Sequence, residues 1–125
     1  NSLRSITSGQ SNVGLGWQAG RYISGGLTAN ETSQNSVYLG YSTEAGADGN
    51  SNEIVIGYSA TGSGSNTVTL GNTSVVGNYF NGGIYLEPMT APSKPARGAD
   101  KYIDTADGDM KVKHARGTTN VMSAD

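Results

Sequence analysis

The sequence predicts an all-β chain: an oligomeric fibrous β-solenoid shaft, followed by a small antiparallel β-meander tip. Three observations predict it. One phrase recurs four times with aliphatic residues two apart and a closing glycine, which is the pattern of a short strand with one apolar face. Leu, Ile, Val and Phe together make 21 of the 125 residues, about 17%, too few to support a core in a lone chain. Glycine and β-branched residues crowd out helix formers nearly everywhere, and no segment carries a helical period. Low apolar content also raises disorder, but disorder normally accompanies high net charge, and here the net charge is only -2. A core shared among copies is the remaining way to order such a chain, so an obligate oligomer is expected.

The copies read Ser11-Asn12-Val13-Gly14-Leu15-Gly16-Trp17, Asn35-Ser36-Val37-Tyr38-Leu39-Gly40-Tyr41, Asn52-Glu53-Ile54-Val55-Ile56-Gly57-Tyr58 and Asn66-Thr67-Val68-Thr69-Leu70-Gly71-Asn72. Their closing glycines are 24, 17 and 14 residues apart, so one strand recurs per unit while the connecting loop shortens. Stacking such coils at roughly 4.8 Å with the aliphatics pointing inward makes a continuous apolar stripe. That stripe alone does not offset the ordering entropy of the shaft, whereas packing the stripes of several chains together raises the burial per residue.

Taken in order, residues 1–10 are expected to continue a preceding shaft, as the start at Asn1 without a targeting segment suits a fragment. The excursion from Gly20 to Gln34, with Arg21, Tyr22 and the Gly25-Gly26 pair, is the type of insertion that maps to a recognition loop. The third and fourth repeats are joined only by residues 61–65 and should form the tightest coils. Residues 72–87 are denser in bulky side chains (Val75, Val76, Tyr79, Phe80, Ile84, Leu86), and Asn81-Gly82-Gly83 supplies a turn between two short strands.

All three prolines of the chain fall at positions 88–95 and mark a linker over 88–99 between the shaft, 1–87, and the tip, 100–125. Composition switches there: the chain before Pro88 holds 16 of the 19 glycines with two basic and five acidic residues, and the remainder holds six basic and five acidic. Residues 101–105, 110–114 and 119–123 alternate as strands separated by Asp107-Gly108 and Arg116-Gly117, the turn chemistry of a meander. Three strands of that size are marginal alone, so the tip is expected to be shared among copies too.

Function classes narrow in the same way. Mild acidity argues against nucleic acid, and the lack of a long apolar run argues against membrane insertion. The absence of cysteine removes thiol chemistry. Trp17, Tyr41 and Tyr58 share one repeat position; such rings in register either stack as a ladder or present flat platforms to sugar rings. Lys111, Lys113, His114 and Arg116 make a basic strand end suited to anionic polysaccharide, or to a solvated edge that resists strand pairing. Asp104, Asp107 and Asp109 lack the spacing and closing glutamate of a calcium loop and read as turn residues. Glu44, Asp48 and Glu53 are candidates for a glycoside-cleaving pair, but nothing in the sequence raises a carboxyl pKa. The chain is therefore expected to be no enzyme, with no cofactor and no metal.

The phrases at 35–43 and 52–60 resemble the head repeats of trimeric autotransporter adhesins, and residues 66–75 are similar to bacteriophage tail fibres. The resemblance covers residues 11 to about 87, and its phage version extends into the C-terminal segment. It implies a homotrimer, with three chains in a fibrous β-solenoid or triple-stranded β-helix shaft and a trimeric tip, and attachment of a virion tail fibre to the bacterial surface, through surface polysaccharide or another receptor. Its alternatives are a trimeric adhesin head on the bacterial outer surface and a capsule depolymerase fragment.

Overall fold

The structure, a computed structural model, describes residues 1–93 and 99–122. Among them there is no helix. Eight strands form two four-stranded sheets, and the chain divides into a unit of residues 1–78 and a unit of residues 79–125.

In the first unit the four repeats each supply one three-residue strand: β1 (Val13–Leu15), β2 (Val37–Leu39), β3 (Ile54–Ile56) and β4 (Val68–Leu70). They pair in sequence order, all parallel, with Val13, Val37, Ile54 and Val68 in one register row and Leu15, Leu39, Ile56 and Leu70 in another. The coils thus wind within a single chain, and loop length varies without disturbing register.

Corners explain how loops of different length deliver the same strand. The residue two before each strand, Ser11, Asn35, Asn52 or Asn66, is left-handed, with φ between 53° and 61°. Asparagine tolerates that region better than most side chains. The closing glycines of the first three coils sit at φ 124°, 134° and 126°, and each backs onto the glycine of the next coil. A Cβ on Gly40 would meet the Gly57 carbonyl oxygen at 2.7 Å. Between those backbones the ladder runs on, with Gly40 N donating to Leu15 O at 2.8 Å and Gly57 N to Leu39 O at 2.8 Å.

The core lies on the opposite face from the one expected. Tyr38 and Val55, the middle residues of β2 and β3, are 0% exposed and pack with Ala19, Ala45 and Ala60, flanked by Leu3 and Ile23. The aliphatics two apart face outward: Leu15 is 70% exposed and Val68 62%. The inward row is Gly14, Tyr38, Val55 and Thr69, preceded on the same face by Asn12, Ser36, Glu53 and Thr67. Its polar members bond from coil to coil, Asn12 Oδ1 accepting from Ser36 N at 3.0 Å and Ser36 Oγ from Glu53 N at 3.1 Å. Small and hydrogen-bonded residues fill the narrow coil, leaving the larger aliphatics outside as two unbroken columns.

Residues 1–10 fold across the first coil. Leu3 N donates to Ala19 O at 2.9 Å, and Leu3 Cγ lies 2.6 Å from where a Cβ on Gly14 would stand, so Leu3 occupies the place of the missing core side chain. The Gly20–Gln34 excursion turns back on itself through a Tyr22–Ala29 bridge and an Asn30 Nδ2 bond to Gly20 O at 3.0 Å, and it is stitched to the next coil by Ser24 N, which donates to Ala45 O at 2.8 Å.

Residues 72–87 form no strand, contrary to the two expected around Asn81-Gly82-Gly83. A strand requires a pairing edge, and this segment has none among the described residues; Tyr79, Phe80, Ile84 and Tyr85 are all exposed. The second unit holds β5 (Pro88–Met89), β6 (Ala99–Asp104), β7 (Met110–His114) and β8 (Thr119–Val121). The expected meander is formed by antiparallel β6, β7 and β8, and β5 adds to β6 in parallel. Pro88 and Met89 of the expected linker therefore belong to a sheet, residues 94–98 of it lie outside the described residues, and so does Ser123 of the third expected strand.

Candidate functional site

The three aromatic residues one past the closing glycines are brought into one column. Each main-chain carbonyl accepts from the next coil: Trp17 O from Ser42 N at 2.7 Å, Tyr41 O from Ser59 N at 2.9 Å, and Tyr58 O from Asn72 Nδ2 at 2.8 Å. Successive rings are thus displaced by one coil rise. Tyr41 and Tyr58 stack with centroids 5.7 Å apart and planes 21° from parallel. All three stay open to solvent, Trp17 and Tyr41 52% exposed and Tyr58 67%. The ladder and the platform are compatible here, because the stacked pair still presents ring faces and hydroxyls outward.

The basic strand end of the tip is divided by the pleat. Lys111 Nζ donates to Asp104 Oδ2 at 2.8 Å and also to Asp107. These bonds, first to Asp104 and then to Asp107, raise the Lys111 pKa and hold both carboxyls below their ordinary value. The aspartates are closed further as turn acceptors, Asp104 Oδ1 taking Ala106 N and Asp107 Oδ1 taking Asp109 N, both at 3.0 Å. Lys111 is therefore committed to the β6–β7 turn. Lys113 and His114, adjacent on β7, point to opposite faces of the sheet.

His114 and Arg116 are brought together. The β7–β8 hairpin closes with Gly117 N donating to His114 O at 2.8 Å and His114 N to Thr118 O at 2.9 Å. Its register sets Asn120 opposite Val112, on the His114 face, where Asn120 Nδ2 lies 3.3 Å from His114 Nε2. The result is an open depression of about 450 Å³ lined by His114, Ala115, Arg116, Thr118 and Asn120. Thr118 and Asn120 escaped the sequence reading, although the Arg116-Gly117 turn and the alternation of β8 carry the signal that places them there.

Glu44, Asp48 and Glu53 hold loops. Glu53 is fully buried and accepts from Gly46 N, Gly64 N at 2.9 Å, Asn50 Nδ2 and the Tyr38 hydroxyl at 3.3 Å. Burial pushes the Tyr38 phenol up, which keeps its proton available for that bond. Asp48 Oδ1 accepts from Glu31 N and Thr32 N, both at 2.8 Å. Desolvation would raise its pKa, and the amides of Thr32 and Glu31 more than offset it, leaving Asp48 below its ordinary value. Glu44 Oε2 accepts from Gly25 N at 3.1 Å. No group of three or more potential metal ligands assembles among the described residues, and no helix among them is long and apolar enough to cross a membrane.

No family model, curated protein or solved structure matches the chain.

Proposed function

We propose that the chain is part of a homotrimeric fibre, a β-solenoid shaft with a small β tip, which attaches a bacteriophage tail to the bacterial surface through glycans. The observation that carries the assembly is the outward pair of aliphatic columns, Val13, Val37, Ile54, Val68 and Leu15, Leu39, Ile56, Leu70, in unbroken register on one sheet face. A continuous apolar face of this kind marks a protein interface, and three identical rods burying it at a common axis satisfy every copy alike. The bulky, strandless segment 76–87 supports the same reading, since copies can supply the pairing edges that one chain lacks. The resemblance of residues 35–43, 52–60 and 66–75 to adhesin and fibre repeats, with the exposed Trp17, Tyr41 and Tyr58 column, supports glycan attachment.

Attachment is read as non-catalytic, because Glu44, Asp48 and Glu53 spend carboxylate oxygens on loop amides. A second reading is a trimeric adhesin head on the bacterial outer surface, supported by the resemblance of residues 35–43 and 52–60 to the head repeats of such adhesins. Both readings share the trimer and the adhesive role.

The test is mass in solution by light scattering, paired with retention on bacterial cells. The expected mass is three times the 12.8 kDa of the chain, and Ile56→Asp, which sets a charge in the outward column, should lower it without unfolding the coil. A wild-type chain that stays a folded monomer refutes the assembly. Retention unaffected by competing surface polysaccharide refutes glycan attachment, and shortening of that polysaccharide refutes the non-catalytic reading.

A further inference from the structure

We infer that the hairpin depression of the tip binds the carboxylate of an acidic sugar, a hexuronate-type residue, with Arg116 as the charged anchor. This deepens the glycan-attachment reading and rests on it. Residues with donor groups converge there: Arg116, Thr118, Asn120 and His114 line one opening of about 450 Å³, a volume suited to one sugar ring. A planar guanidinium matches a carboxylate through two parallel N–H bonds.

The charge is available. Lys111 is consumed by Asp104 and Asp107, whereas Arg116 has no ion pair among the described residues and is exposed. No carboxylate lines the depression, so an anion entering it meets no like charge from the lining residues. Its rim is pre-set by the hairpin hydrogen bonds of His114 with Gly117 and Thr118 and by the Asn120–His114 contact, which limits the ordering cost of binding. Ala115 adds an apolar patch for the carbon face of a ring.

The full chain carries a reporter, since His114 is its one histidine. Sodium glucuronate, glucose and inorganic phosphate are titrated separately at fixed pH and ionic strength, and the His114 ring signals are followed by NMR. Glucuronate should move them saturably and glucose should not. Arg116→Gln should weaken the response about tenfold, the loss expected for a charge-assisted pair. Asn120→Asp, which places an anion in the opening, should abolish it, and Lys113→Gln, on the other face, should leave it unchanged. Amide spectra of each variant confirm the fold.

The assignment is overturned by an absent glucuronate response, by an equal response to glucose, by a response to phosphate alone, or by one that survives Arg116→Gln undiminished. Cell retention measured beside it separates the two readings. Retention without a glucuronate response overturns this pocket and leaves glycan attachment standing; a glucuronate response without retention does the reverse.

Discussion

Replacing Gly40 by alanine tests the claim that the coils stack backbone on backbone. Gly40 sits at φ 134°, a conformation that costs an L-residue about 1–3 kcal/mol. The added Cβ would lie 2.7 Å from the Gly57 carbonyl oxygen and 2.9 Å from its carbon, several tenths of an ångström inside ordinary contact. Relief by sliding the coils apart is opposed on both sides by the bonds of Gly40 N to Leu15 O and Gly57 N to Leu39 O, each worth about 1 kcal/mol net. The sum is a loss of about 3–5 kcal/mol, a large share of the stability of a typical domain. Gly25 is the control, because it also has positive φ, 99°, but a Cβ there meets nothing within 4 Å. Gly25→Ala should therefore lose only the conformational part, about 1–2 kcal/mol. Urea unfolding of both variants at equal chain concentration, followed by tyrosine fluorescence and fitted with a common slope, gives the difference. Equal midpoints would refute glycine-on-glycine stacking as the feature that sets coil spacing.

Two further outcomes follow from contacts that sequence reading did not supply. Leu3→Ala should cost about 2 kcal/mol by emptying the core place beside Gly14, and Gly14→Val in the same chain should return part of it; a double-mutant cycle showing simple additivity would contradict the Leu3 plug. Asp48, Asp104 and Asp107 have pKa values held below their ordinary 3.8, so the stability they contribute is present above that pH and lost as the pH falls through their lower folded values. Lys111, raised above its ordinary 10.5, contributes below that pH and loses its contribution as the pH rises past its folded value. Lys111→Met should therefore flatten the stability curve on both limbs, acid and alkaline, as read from unfolding midpoints across pH, and an unchanged acid limb would contradict the pairing.

Much of the first unit was legible because its punctuation is chemical. Asn35, Asn52 and Asn66 stand at left-handed corners and Gly16, Gly40 and Gly57 where a Cβ would strike the next coil, so strand positions and register follow from residues with few alternatives. Ser42 and Ser59 take left-handed corners as well, at φ 49° and 46°, yet serine carries no comparable preference and those corners were invisible. The tip was legible from its Asp-Gly and Arg-Gly turns, and Tyr41 and Tyr58 stack as their shared repeat position implied.

The direction of the faces was not legible, for a physical reason. Alternation with period two separates two faces without saying which one a chain keeps for itself. Large apolar residues are usually buried, but that rule holds in one direction only. In a coil this narrow the interior takes Ala, Tyr, Val and Thr43 together with Ser36 and the fully buried Glu53, whose side chains are hydrogen-bonded. Glu53 is tolerated because amides and the Tyr38 hydroxyl replace the water it loses. Once the narrow interior is filled that way, Val13, Leu15, Val68 and Leu70 have nowhere to go inside their own chain. The aliphatic alternation that first suggested a core is an outward face of the sheet, and it is the observation on which the proposed assembly rests.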